Sequence, residues 1–443
     1  MSDAVMNNNT GAPVTGPDHH NRVVEKEQLL DNARKNLHTN LSAARRTGKT
    51  SLMREVVATL KMDDWAAVEI DFSPCQTLAE FMALFQEKLQ AATADNSPVK
   101  SKIKAGFVSF AGLFDREIGF SVLGNDVTLG AAENKTAPPK DFAVAFAMLG
   151  DAIEALAQEA KAKRLIMALD ELPIFLNRYH ANAGDDPQLK ATRTSEIAAL
   201  LYALREQRQR PANKVFWLHC GSIGLESFAE RLKLTHSLSG LQVFPLEAFT
   251  PSHTRSMLQR LWAGKGRTGP MPAPAVEQII TRLDWLVPSF TQQLFHLLYS
   301  QRAAWADPEQ PTAADVDRAW DKMISAEHRS YFLHWDTRLD EQLGKVAAAR
   351  ARLILNAASN IKRKHNRATL FNEVAAQQPQ ADATLLEQEV RYLLGTLERD
   401  GYLVESQNRY IFRSPLLRDY WQKHCVPIPR KASKRSQQAG SAT

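Results

Sequence analysis

The chain has 443 residues, of which 44% are hydrophobic and 23% charged, and carries a formal net charge of +6. That balance belongs to a soluble globular protein with ordinary cores, and the length suits about three domains. No apolar run reaches the ~18 residues of a spanning helix, which argues against a membrane protein. Cys75, Cys220 and Cys425 lie far apart without C-x-x-C or zinc spacing, as expected of unpaired thiols in a reducing cytoplasm.

Residues 1–20 have neither a basic start nor an apolar stretch, so they read as a disordered leader rather than a secretion signal. A helix at 21–36 feeds a strand at 37–42, which is unusually polar (LHTNLS) for a central parallel strand. Helical spacing of Leu52, Val56 and Leu60 predicts a helix over 51–62. A strand at 65–72 and a helix at 77–92 follow. This alternation predicts an α/β parallel sheet. Residues 97–140 read as an insertion, with a hairpin around Gly124, Asn125 and Asp126. A helix at 141–160 and an apolar strand at 164–169 resume the pattern, then a helix at 195–210 and strands at 214–222 and 241–249. The expected core is therefore 21–250. Residues 251–330 read as a small helical unit, and a helical linker at 330–348 opens a last domain over 331–425. The tail, 426–443, is rich in Pro, Ser and Lys/Arg and reads as disordered.

Two stretches carry chemistry. GKTS at 48–51 ends a phosphate-binding loop of the G-x-x-x-x-G-K-[ST] type, with Ala43 where the first glycine usually stands. A glycine-rich turn running into a helix aims backbone N–H groups at phosphate. Gly48 permits the tight curl, Lys49 reaches the β- and γ-phosphates, and Thr50, beside Ser51, offers its hydroxyl to Mg²⁺. If Ala43 needs a positive φ, the missing glycine costs about 1–2 kcal/mol; otherwise it costs little. The second stretch is LIMALDE at 165–171, five apolar residues and two acids at the end of a buried strand. Asp170 would hold the metal and Glu171 would polarise an attacking water. At the end of VFWLHCGS, Ser222 is the first candidate to contact the terminal phosphate or the water, with His219 and Cys220 as alternatives.

In these stretches the chain resembles the AAA family ATPases grouped with the STAND NTPases, whose loop often reads GPRRxGKTSL. The matching residues are Ala43, Ala44, Arg45, Arg46, Thr47, Gly48, Lys49, Thr50, Ser51 and Leu52, together with DELP at 170–173, GSIGL at 221–225 and RYIFRSPLLRDYW at 409–421. The resemblance covers about 22–425. It implies a P-loop NTPase core of five strands with the two ATP-binding stretches on neighbouring strands, a helical lid and a C-terminal winged helix. It further implies ATP and Mg²⁺ as cofactors. Pro288 would touch adenine, although the glycine expected two residues before it is Leu286. The opening helix, Glu25 to Leu29, also lacks a family glycine, and Arg231 is the nearest candidate for an arginine finger.

In the C-terminal part, two helices over 348–376 flank IKRKHNR. A third helix shows the stripe Leu386, Val390, Leu393, Leu394 and Leu397 and stops at Gly401. YLV at 402–404 and YIF at 410–412 pair as strands. Residues 340–443 carry a net charge of +7, which points to an acidic partner. Glu387, Glu389 and Glu398 beside Arg391 and Arg399 disfavour groove reading by the third helix. Lys362, Arg363, Lys364 and Arg367, with Arg430, Lys431, Lys434 and Arg435, suit salt-dependent attraction to double-stranded DNA. The competing reading is a protein-docking or autoinhibitory module. Three functions stand side by side: an ATP-dependent switch, a DNA-associated ATPase of initiator or transposition-helper type, and a non-hydrolysing nucleotide-bound scaffold. The partners considered are ATP, DNA, a protein and a second copy of the chain.

Overall fold

The structure, a computed structural model, describes residues 5–93, 97–101, 103, 150–158, 164–184, 186–210, 214–221 and 224–427, and 120–122 and 125–127 as backbone. Most of the expected insertion, Ser222 and the tail beyond 427 lie outside the described residues.

The chain opens with α1 (Val23–Arg34), β1 (Thr39–Ser42), α2 (Lys49–Met62), β2 (Ala66–Asp71) and α3 (Leu78–Ala91). The polar composition of β1 is absorbed locally. Asn32 Nδ2 donates to Thr39 Oγ1 at 3.2 Å, and Asn40 Nδ2 donates to Glu226 Oε1 at 2.6 Å, so buried polar atoms are paired. Helix α3 starts in a capping box in which Thr77 and Glu80 satisfy each other's backbone N–H groups. β3 (Phe120–Val122) and β4 (Asn125–Val127) pair antiparallel at the expected hairpin. The core continues through β5 (Leu165–Asp170), α4 (Leu172–Ala181), α5 (Pro187–Gln209), β6 (Val215–Gly221), α6 (Leu225–Arg231) and β7 (Gln242–Pro245).

The five-stranded sheet has the order β2-β5-β6-β1-β7 and is parallel throughout. Side chains alternate along β5 and β6. Leu165, Met167, Leu169, Val215 and Trp217 pack towards α3–α6, while Ile166, Ala168, Phe216, Leu218 and Cys220 pack towards α1 and α2. The expectation that the loop strand and the acid strand are neighbours is corrected: β6 lies between β1 and β5. The register aligns Asp170 with Cys220 and Leu41 with Cys220, so all three carboxyl ends finish level.

Helices α7 (Pro251–Ala263), α8 (Ala273–Leu283), α9 (Pro288–Ser300) and α10 (Ala313–Met323) follow. Then come α11 (Leu333–Ser359), α12 (Arg367–Ala376), α13 (Ala383–Arg399), β8 (Leu403–Ser406), β9 (Arg409–Phe412) and α14 (Pro415–His424). These elements share one continuous core that includes Trp320, Trp335, Tyr402 and Trp421. Helix α11 breaks at Gly344, whose φ of 75° leaves the helical region. Helix α14 buries Leu416, Leu417, Tyr420 and Trp421, an i, i+1, i+4, i+5 face against that core. Among the described residues no helix is long and apolar enough to cross a membrane.

The disordered-leader expectation is corrected for residues 5–20. Met6 is 1% exposed, Asn9 N donates to Gln292 Oε1 at 2.8 Å, and Val14 N donates to Ser51 Oγ at 3.0 Å. Backbone bonds of this kind require no side-chain periodicity, which is why the pattern did not reveal them. Residues 5–20 thus form a strap from α7 and α9 to α2.

At Gly401 (φ +83°) the turn between α13 and β8 meets the phosphate loop. A Cβ there would sit 2.8 Å from Ala44 Cβ and 2.8 Å from the Trp285 ring. Gly401→Ala is expected to lower unfolding free energy by about 2–4 kcal/mol, adding a steric clash to the cost of positive φ. Gly269→Ala, also at positive φ but in open space, should lose only about 1–2 kcal/mol. Equilibrium urea unfolding of both variants checks the difference.

Candidate phosphate-binding site

The loop runs over 43–48 from the end of β1 into α2. Left-handed backbone falls on Arg46 (φ 66°) and Gly48 (φ 96°), and Ala43 is not among the positive-φ residues. Glycine is therefore required at 48 by backbone angle, while alanine at 43 carries no left-handed penalty. Thr47 Oγ1 donates to Ala44 O at 2.9 Å, bracing the turn from within. Arg22, 4% exposed, braces it from outside, donating to Thr47 O at 3.1 Å and Glu247 O at 2.5 Å.

Lys49 is buried, and its ammonium donates to the carbonyls of Ala43 and Ala44 at 2.9 Å each. Burial pulls its pKa down, and Glu171 opposes that shift. Thr50 Oγ1 donates to Asp170 Oδ2 at 2.8 Å. This bond crosses the end of β6, and it forms because Asp170 follows Ile166 and Ala168 onto the α2 face. Burial, then Glu171, pushes the Asp170 carboxyl up to about 6. Glu171 stands just past β5 at φ 54°, caps α4 and lines the cavity described next.

A cavity of about 310 Å³ lies over the loop. It brings Arg45, Arg46, Thr47, Gly48, Lys49, Thr50 and Ser51 together with Glu171 and with Pro288, the first residue of α9. Its far wall is apolar and aromatic. Phe249 and Met257 line it, His20 meets Phe249 edge-on at 5.8 Å, and Arg22 lies over Phe249 at 4.7 Å. Strap residues 9–14 complete it. Sequence patterning missed the strap, Arg22 and Gln292, since none carries a motif or a periodic signal.

The other candidates separate by face. Cys220 shares the α2 face, and Asp170, beside it, helps burial push its thiol up. His219 turns the other way, 6.4 Å from Trp217, with neither ring nitrogen hydrogen-bonded; burial keeps it neutral. It is thereby excluded from the phosphate face. Arg231 donates to Asn177 Oδ1 at 3.2 Å and Tyr392 OH at 3.1 Å, joining α6 to α4 and α13 rather than facing the cavity.

The residues fit a magnesium nucleotide. Asp170 Oδ1 is buried without a hydrogen-bond partner next to the Thr50 hydroxyl, which offers oxygen to a hard cation. No group of three or more His, Cys, Asp or Glu that could hold a metal ion gathers among the described residues. Lys49 and the two loop arginines supply positive charge for phosphate.

A parallel sheet of this order with a glycine–lysine loop at the carboxyl end of β1 is a fold that two solved proteins share. The chain is similar to the Walker-type ATPase PABY2304 of Pyrococcus abyssi, at 17% identity and TM-score 0.54, covering 91% of this chain and 96% of that one. It is also similar to the ORC2 protein of Aeropyrum pernix in its ADPNP–ADP complexes, at 12% identity and TM-score 0.51, covering 91% and 93%. No protein-family model and no curated protein matches the sequence.

Arg46 ties the loop to two other elements, with Nη1 donating to Ser289 Oγ at 3.3 Å and Nε to His334 Nε2 at 3.2 Å. Burial, then Arg46 and Arg45, drives the His334 pKa down to about 2. A depressed histidine stabilises the fold above its unfolded pKa near 6.5 and loses that contribution as pH falls below it. His334→Phe should therefore flatten the fall in melting temperature between pH 7 and 5. Because His334 is only partly buried, the effect is a fraction of the ~1.4 kcal/mol per pH unit that one proton allows. Thermal melts at several pH values read it directly.

Proposed function

We propose that this chain is an ATP-binding and ATP-hydrolysing molecular switch of AAA+/STAND type, whose nucleotide state repositions its C-terminal, winged-helix-like unit. The observation that carries the reading is the 2.8 Å bond from Thr50 to Asp170, with Lys49 and Glu171 at the same cavity. The similar archaeal proteins are described as a Walker-type ATPase and as a protein in ADPNP–ADP complexes, which agrees with it.

In this reading Lys49 exchanges the Ala43 and Ala44 carbonyls for phosphate oxygens, and the N–H groups opening α2 face the same charge. Thr50 and Asp170 would hold Mg²⁺, which supplies neutralisation of the charge on the phosphates. Glu171 takes a proton from the attacking water. Phe249, Met257 and Pro288 cover the base, and the strap excludes water. Ser222 remains a candidate to orient the terminal phosphate.

A second reading, a DNA-associated ATPase, is favoured by one surface. Lys362, Arg363 and Lys364, on the loop between α11 and α12, and Arg367, the first residue of α12, are all exposed near Ile361, itself 69% exposed. Such a patch would bind duplex DNA without sequence preference and with strong salt dependence.

Lys49→Ala should weaken ATP binding at least about tenfold, and Glu171→Gln should retain binding while lowering turnover on the order of 10²–10⁴-fold. ATP affinity unchanged in Lys49→Ala would remove the reading, and undiminished turnover in Glu171→Gln would remove the base. Adding duplex DNA to the same turnover assay tests the second reading: no binding, or binding indifferent to salt, rejects it.

A further inference from the structure

The strap does more than close the cavity: it orients one buried amide. Gln292 is 6% exposed and lies on α9 one turn beyond Pro288, and both residues line the cavity. Asn9 N donates to Gln292 Oε1 at 2.8 Å, and Asn8 Nδ2 donates to Gln292 O at 3.0 Å. A backbone N–H can only donate, so the amide atom that meets it is the carbonyl oxygen. The orientation of the Gln292 amide is thereby fixed, with Nε2 as its other end. Among the described residues Nε2 has no hydrogen-bond partner.

The strap also gives this amide its place along the cavity. Just before the Asn9 contact, Met6 N donates to Arg260 O of α7 at 3.3 Å. Beyond it, Val14 N donates to Ser51 Oγ at 3.0 Å, beside the phosphate loop. Gln292 therefore stands at the α7 end of the strap, the helix that carries Met257, and not at the Lys49 end. His20, near the same end, has both ring nitrogens engaged: Arg260 Nη1 donates to Nδ1 at 3.0 Å, and Nε2 donates to His253 O at 3.1 Å. Gln292 Nε2 thus supplies a donor beside the apolar surface of Met257 and Phe249.

We infer that Gln292 is a specificity-determining residue whose Nε2 donates to an acceptor ring nitrogen of the nucleotide's base, with Asn9 as the positioning residue that keeps the amide from flipping. This rests on the cavity being a nucleotide site. Adenine offers acceptor nitrogens at N1, N3 and N7. A nearly buried donor that meets none of them gives up its hydrogen bonds to water without replacement. A base with a hydrogen at the contacted position sets N–H against N–H and is rejected.

The test is equilibrium binding to the full chain of ATP, of its N1-, N3- and N7-deaza analogues, and of inorganic tripolyphosphate. One deaza analogue should bind the wild type about 10-fold more weakly than ATP, because a C–H replaces the acceptor. Gln292→Met should weaken ATP about 10-fold, leave tripolyphosphate within about twofold, and bind that same analogue as it binds ATP. Gln292→Glu keeps an oxygen for the Asn9 N–H while removing the amide donor, and it should lose the same discrimination. A merely structural Gln292 would weaken ATP and tripolyphosphate alike and leave the discrimination intact. That result, or deaza analogues that all bind the wild type as ATP does, overturns this inference alone. A wild-type chain that binds neither ATP nor tripolyphosphate overturns the site reading as well.

Discussion

The hydrogen bond between Thr50 and Asp170 organises the site. It joins the first turn of α2 to the end of β5 across the carboxyl end of β6, two strand spacings from β1. Strand spacing is about 4.8 Å, so the reach depends on the loop and helix leaning over β6 and on Asp170 alternating onto the α2 face. Everything else on that edge follows from the placement. Lys49 precedes Thr50, Glu171 follows Asp170, and the small thiol of Cys220 fills the level between them without blocking the approach.

Charge distribution gives the same edge its chemistry. Among the described residues, Arg45 of the loop acts with Glu171, Lys49 acts with Glu171 and Asp170, and the resulting shifts are dominated by burial. A site of this kind favours an anion with several charges, because phosphate oxygens replace solvent that the fold has already excluded. The strap and α9 line the cavity with polar groups such as Asn9, Thr10, Ser289 and Gln292, and Phe249 and Met257 add aromatic and apolar surface.

Much of this was legible in the sequence because it rests on short-range rules. The run LIMALD before an acid reads as a buried strand with its functional group at the end, and that is how β5 sits. Leu52, Val56 and Leu60 read as a helix over 51–62, and α2 spans Lys49–Met62, starting two residues earlier, inside GKTS. The alanine at 43 was ambiguous because φ is not written in residue type; the strained angle falls instead on Arg46, where bonds to Ser289 and His334 hold it. Strand order was not legible, since nothing local tells β5 that β6 lies between it and β1. The strap escaped detection because backbone-to-side-chain bonds, such as Asn9 to Gln292, leave no periodic trace.

The most direct measurement of the central claim is an equilibrium titration of ATP into the full chain, with and without Mg²⁺, for the wild type and Asp170→Asn. The account requires saturable binding of one ATP per chain that Mg²⁺ strengthens, with that strengthening lost in Asp170→Asn. Absence of saturable binding, or Mg²⁺ strengthening that survives in Asp170→Asn, would contradict it.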